Sequence, residues 1–212
     1  MQPNAPSTDH RRPYVRDTEE NRREALIAAT KDLVAEGGPS AATVRAIAAR
    51  AGVTLGLIRH YFGSKDALLH AAYESLMGGM TDLGFKAMEE VGADPAARLR
   101  AFIEVSLKPP VVDIKALGLW AGFMHRVQSD PELLAQHKAG YLRFRNQLQI
   151  LIQELKPSIS PQLARQEAIA CTALVDGLWL EGSALPDDFA QDEIIDIGLR
   201  GVSALLGTRL EP

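Results

Sequence analysis

Between Thr43 and Lys65 the chain concentrates groups that hydrogen-bond to polyanions: the hydroxyls of Thr43, Thr54 and Tyr61, the guanidinium groups of Arg45 and Arg59, the His60 imidazole and the Lys65 ammonium. Hydroxyls and ammonium groups hold phosphate oxygens, whereas an arginine can also donate a bidentate pair to a guanine edge, worth roughly 1 to 3 kcal/mol of discrimination. Arg59 is the best base reader of the set, Thr43, Thr54, Tyr61 and Lys65 suit phosphates, and Arg45 can serve either purpose. Gly56 and His60 share a helical face with Arg59, and Leu55 lies at its edge, where apolar contact with a thymine methyl is its readable role. The same spacing also fits an ordinary helical hairpin with a solvated polar face.

A second constellation lies further on. Trp120, Phe123 and Met124 share one helical face, and Tyr141 and Phe144 share a face of the next helix. In a chain with only 12 aromatic residues, two such faces on consecutive helices suggest a pocket, although each stripe alone reads equally as core. Asp176 stands in the apolar run Ala173–Leu180, on a stripe with Ile169, so its carboxylate is expected to leave water and to need a partner. That partner is an arginine, a backbone cap, another subunit, or a cationic ligand held over Trp120, Trp179 or Tyr141 by cation–π attraction.

The elements that must position these groups are helices. Residues 1–16, with Arg11, Arg12 and Arg16 among three prolines, read as a flexible basic arm. A helical period begins at Asp17 and is stopped by Gly37 and Gly38. Thr43 can cap a two-turn helix that Gly52 ends, and Thr54 can cap another that Gly63 ends, which is the tight-turn arrangement of a helix-turn-helix. Ser64 caps a long helix to about Glu90, where Gly78, Gly79 and Gly84 permit bending. Asp94-Pro95, Asp130-Pro131 and Ser160-Pro161 each place a capping residue before a first-turn proline. Further helices follow near 95–107, 113–128, 131–155, 161–183 and 189–207, and no period-2 strand competes with them. The fold class is therefore all-α: a three-helix helix-turn-helix domain over 17–66, then a helical domain over 67–212, to which the family resemblance given below assigns ligand binding and dimerisation.

At 212 residues, 46% apolar and 24% charged, the chain can bury a substantial core as one domain or two. The single cysteine, Cys171, excludes an internal disulfide or a thiolate zinc cluster, and among Ala170, Thr172 and Ala173 it reads as a core thiol. No apolar stretch approaches the length that spans a bilayer, and the polar start lacks the apolar run of a signal peptide, so a cytoplasmic protein without a membrane partner is expected. The net charge of −4 conceals an asymmetry: residues 1–66 hold ten Lys or Arg against eight Asp or Glu, the remainder 13 against 19. Only the basic end suits a polyanion. Enzyme signatures are missing: there is no Walker loop, G-x-S-x-G or H-E-x-x-H, and the five histidines form no i, i+4 pair. No catalytic residue, metal or cofactor is expected, which leaves a DNA-binding protein or a helical protein-interaction scaffold.

Residues 22–76, and above all TVRAIAARAGVTLGLIRHYFGSKDALLHA from Thr43 to Ala71, resemble the DNA-binding domain of TetR-type repressors. Thr54 stands where serine is usual in that family, and Leu55 where many members carry a polar or small residue. HYFGSKDALL, WAGFMH and VDGLWLEGSAL look like the BetI-like, choline-responsive branch. The resemblance implies a homodimer, paired through the last two long helices, whose recognition helices enter successive major grooves of a palindromic double-stranded DNA operator. It also implies release by a small-molecule effector in the C-terminal domain: choline, another quaternary amine, or an uncharged apolar ligand. Small residues on those two helices, Ala168, Ala170, Ala173, Gly177, Gly198, Gly201 and Ala204, suit close approach either between subunits or within one.

Overall fold

The computed structural model describes residues 18–210, and among them the chain is helical throughout, with no strand. The basic arm over 1–16 lies outside the described residues. Helix α1 (Glu19–Ala41) leaves helical geometry at Gly37 and Gly38, where Gly38 takes φ 71°, so the expected stop is a kink after which one further turn starts at Pro39. Helix α2 (Val44–Ala51) begins where Thr43 Oγ1 accepts the Ala46 N–H at 3.2 Å. It ends at Gly52 in the left-handed region, whose N–H returns to the last carbonyls. Helix α3 (Leu55–Phe62) starts after Thr54, but that hydroxyl forms no capping bond. The expected Thr54 cap is thus positional only.

Ser64 caps α4 (Lys65–Glu90) through the Ala67 N–H at 3.0 Å. The glycines of α4 do not break it, and Gly84 has a packing role instead: a Cβ there would overlap the Phe102 ring. Asp94, Asp130 and Ser160 each accept N–H groups of the following turn and so start α5 (Pro95–Ser106), α7 (Pro131–Leu155) and α8 (Pro161–Ala184). Asp113 caps α6 (Ile114–Val127). Helix α9 (Glu193–Leu206) begins four residues later than the sequence period suggests, and a left-handed Asp192 precedes it.

Two buried clusters hold these helices. One joins Leu26, Val34, Ile47, Ile58, Leu68 and Tyr73 of α1–α4 to Phe123 and Val127 of α6 and Leu133 of α7. The other joins Leu99, Phe102 and Ile103 of α5 to Leu148 and Ile152 of α7, Val175 of α8 and Val202 of α9. Helix α6 approaches α1 closely because Gly118 and Gly122 face it. A Cβ at Gly122 would stand 3.1 Å from Val34 Cγ1, and one at Gly118 3.4 Å from the Ala35 carbonyl. Polar ties join α4 to α6 and to the start of α7. Arg126 of α6 pairs with Asp66 at 3.1 Å, and the two nitrogens of His70 face Asp130 at 2.9 Å and Glu132 at 3.1 Å. Among the described residues no helix is long and apolar enough to cross a membrane.

Candidate functional site

The short helices α2 and α3 present the first set of chemical groups. Ile58 is buried against the core, and Arg23 of α1 lies over the Phe62 ring at 5.2 Å, so the inner face of α3 is fixed from both sides. The opposite face is open: Leu55, at 50% exposure, Gly56, Arg59 and His60 all meet solvent, as do Thr43, Arg45 and Thr54. Tyr61 and Lys65 are half-buried, and the Tyr61 ring packs edge-on against His60 at 4.9 Å between centroids. Among the described residues Arg45 and Arg59 enter no ion pair, whereas the neighbouring Arg50 is held bidentate by Glu36 at 2.8 and 2.9 Å. The Arg45 and Arg59 guanidinium groups are therefore available to an external anion, and Arg50 braces α2 against α1.

The second set meets in a cavity of about 430 Å³, open to solvent beside Tyr141 and Leu180 and lined mainly by α4, α6, α7 and α8. Trp120, Tyr141, Phe144, Asp176 and Trp179 all line it. Trp120 and Trp179 meet edge to face at 5.8 Å, and the Trp179 indole N–H donates to the Val111 carbonyl at 2.8 Å. Phe123 and Met124 are corrections to the sequence reading. Phe123 is fully buried beside Tyr73, and Met124 packs against that same cluster, because the glycines of α6 draw this face onto α1 and away from the cavity.

Asp176 is half-buried, and its partner within the chain is neither the arginine nor the backbone cap that the sequence suggested. Tyr141 Oη donates to Asp176 Oδ2 at 2.5 Å. Desolvation pushes the Asp176 carboxyl above the ordinary carboxylate range, with the tyrosine hydrogen bond opposing it. Burial, and then the adjacent Asp176, pushes the Tyr141 phenol up to about 12, so it stays a donor at neutral pH. Elsewhere on α8 Ile169, 37% exposed, faces outward, and Leu180, 48% exposed, stands at the rim of the cavity.

Sequence reasoning missed the α4 wall, Met77, Met80 and Thr81, and missed His137 and Gly140 on α7. The signal for the latter pair was present, since they sit one turn before Tyr141 and Phe144 on one stripe. His137 also shares a hydrogen bond of 2.7 Å with the fully buried Tyr73 of α4, and burial lowers its pKa, which favours the neutral ring. The cavity wall is thereby bonded to the helix that follows the α2–α3 pair.

Residues 26–72 match the family model described as bacterial regulatory proteins, tetR family, and residues 95–207 match that of the BetI-type transcriptional repressor, C-terminal. The chain belongs to the TetR family, BetI type. It is a helix-turn-helix transcriptional regulator of an all-α family rather than an enzyme. This TetR-family chain is 34% identical, over 168 residues, to the HTH-type transcriptional regulator BetI of Stenotrophomonas maltophilia (strain R551-3), covering 79% of itself and 84% of that protein. Its fold is similar to that of a transcriptional regulator from Pseudomonas aeruginosa PAO1, with a TM-score of 0.80, 31% identity, and 91% and 93% of the two chains covered. It is also similar in fold to a transcriptional regulator from Saccharomonospora viridis solved in complex with choline, with a TM-score of 0.69, 20% identity, and 84% and 94% of the two chains covered.

Proposed function

We propose that this chain is a repressor that binds a palindromic operator as a homodimer and leaves it when a small organic cation occupies the cavity. The observation that carries the ligand half is the placement of a single half-buried carboxylate among Tyr141, Trp120 and Trp179. A carboxylate in that setting favours a cationic partner, and indole faces add cation–π attraction of about 2 kcal/mol or more when desolvated. Choline and related quaternary amines have that chemistry.

On the DNA side, residues 17–66 act as the reading head. The open face of α3 supports direct base contact by Arg59 and methyl contact by Leu55, and the positions of Thr43, Thr54, Tyr61 and Lys65 around it suit phosphates. Pairing through α8 and α9 is supported by their outer surface, where Leu163, Ile169, Leu180 and Leu205 are exposed beside Ala173, Gly177 and Ala204. Two heads carried about one helical turn apart, roughly 34 to 36 Å, would meet successive major grooves.

Release follows from the links out of the cavity. A cation between Asp176 and the indoles presses on Trp120 of α6 and on the α4 wall, and both helices contact the head, α6 through Gly118 and Gly122 and α4 through its own first turn. Occupancy then favours a spacing of the heads that one operator cannot accept. The test is a gel-shift titration with operator DNA. Arg59→Ala should weaken binding about 5- to 150-fold, the equivalent of roughly 1 to 3 kcal/mol, while leaving cation binding intact. Unchanged operator affinity in that variant would refute the assignment of α3 as the reading helix. Calorimetry supplies the second arm: cation affinity must fall when operator is bound, because coupling between sites is reciprocal.

A further inference from the structure

The cavity holds more space than choline would use. Its volume of about 430 Å³ corresponds to roughly fourteen water-sized atoms at about 30 Å³ each, and choline has seven non-hydrogen atoms. The α7 wall, His137, Gly140, Tyr141 and Phe144, covers two helical turns, roughly 10 Å along the axis. Asp176 contacts Tyr141, in the middle of that span, so room remains beyond the carboxylate.

The polar side chains around that room each hold a bond within the protein. Ser106 Oγ donates to the Phe102 carbonyl at 2.7 Å, Thr81 Oγ1 to the Met77 carbonyl at 3.5 Å, and Trp179 to the Val111 carbonyl. His137 Nδ1 is bonded to Tyr73, and Tyr141 donates to Asp176. The lining carries one carboxylate, Asp176, and apolar side chains that include Met77, Met80 and Phe144. Thioethers on unbranched chains adapt to apolar ligands of varied shape.

We infer that the effector is an amphipathic monocation, a quaternary or tertiary ammonium carrying a hydrocarbon chain longer than that of choline, with the head at Asp176 and the chain against Met77, Met80 and Phe144. This rests on the reading of Asp176 as a cation's partner. It adds that the lining is mostly apolar, so that replacing the hydroxyl of choline by methyl improves the fit.

The test is calorimetric titration of the full chain with tetramethylammonium, choline and the n-propyl, n-butyl, n-hexyl, n-octyl and n-decyl trimethylammonium ions below their micellar concentrations, with n-octanol as the uncharged control. Propyltrimethylammonium, which is choline with methyl in place of hydroxyl, should bind more tightly than choline. Affinity should then rise about fourfold per added methylene until the cavity is full, as expected for transferring one CH₂ from water. Met80→Trp, which fills the apolar end, should abolish the gain from chain length and keep tetramethylammonium binding, which also reports that the variant is folded. Choline binding more tightly than its propyl isostere, or no gain along the series, overturns the inference and leaves the cation site standing. Binding of octanol with no binding of any ammonium ion overturns the cation reading itself, and the inference with it.

Discussion

Asp176 shows how one side chain's environment sets its use. Its carboxyl is displaced upward because burial withholds water from the charged form faster than the single Tyr141 hydroxyl compensates. For a group whose folded pKa is raised, the associated stability is present below the unfolded pKa, about 3.9 for aspartate, and is lost as pH rises through the folded value. Above that value the ionised Asp176 carboxylate therefore opposes folding of the unliganded protein. Asp176→Asn keeps an acceptor for Tyr141 and removes that charge. Its melting temperature without ligand should exceed that of the parent at neutral pH, the gap should close as pH falls toward about 4, and the rise caused by quaternary ammonium ions should disappear. A variant still stabilised by those ions in thermal-shift titration would remove Asp176 from the site.

Helices α2 and α3 look alike as sequences, each two turns long with a threonine before and a glycine after, yet their threonines do different things. Thr43 closes a capping bond to Ala46, and Thr54 leaves its hydroxyl open to solvent. Thr43→Ala should accordingly cost about 1 kcal/mol of stability by chemical denaturation, whereas Thr54→Ala should leave stability nearly unchanged and weaken operator binding. Equal stability losses would mean that Thr54 caps after all. Helix α4 spans the two regions, because Tyr73 is buried in the head cluster and bonded to His137 in the cavity wall. Tyr73→Phe removes one hydrogen bond, a loss of about 0.5 to 1.5 kcal/mol, and keeps the ring. Ammonium ions should still bind, yet should displace less operator DNA at saturation. Full displacement would place the coupling in α6 alone.

For the whole molecule, the outward face of α8 is shared between two roles, since Gly177 and Leu180 line the cavity and are also exposed at the surface proposed to pair subunits. Small residues on the last two helices sort by direction. The space beside Gly198 and Gly201 is filled within one chain by Leu107 and Leu174, while a Cβ at Gly177 would meet nothing within 4 Å. Ile169→Glu puts a charge on the outward face without touching the buried cluster. Sedimentation should then find a monomer, and operator affinity should drop by roughly two orders of magnitude, because two linked heads bind far more tightly than either alone. A variant that stays dimeric would move the interface elsewhere.

The all-α class, the caps at Thr43, Ser64, Asp94, Asp130 and Ser160, and the exposed polar face of α3 were legible in the sequence, because each depends on residues within a turn or two of one another. Helical spacing likewise gathered Tyr141 with Phe144 and marked Asp176 as unusual. What spacing could not supply was direction between helices. Phe123 and Trp120 lie one turn apart on α6, but close approach of Gly118 and Gly122 to α1 turns Phe123 into the head cluster and leaves Trp120 in the cavity wall. The Asp176 partner and the Tyr73–His137 bond join residues 35 and 64 positions apart in the chain, and such pairings, like the α4 wall of the cavity, are fixed only when the helices pack.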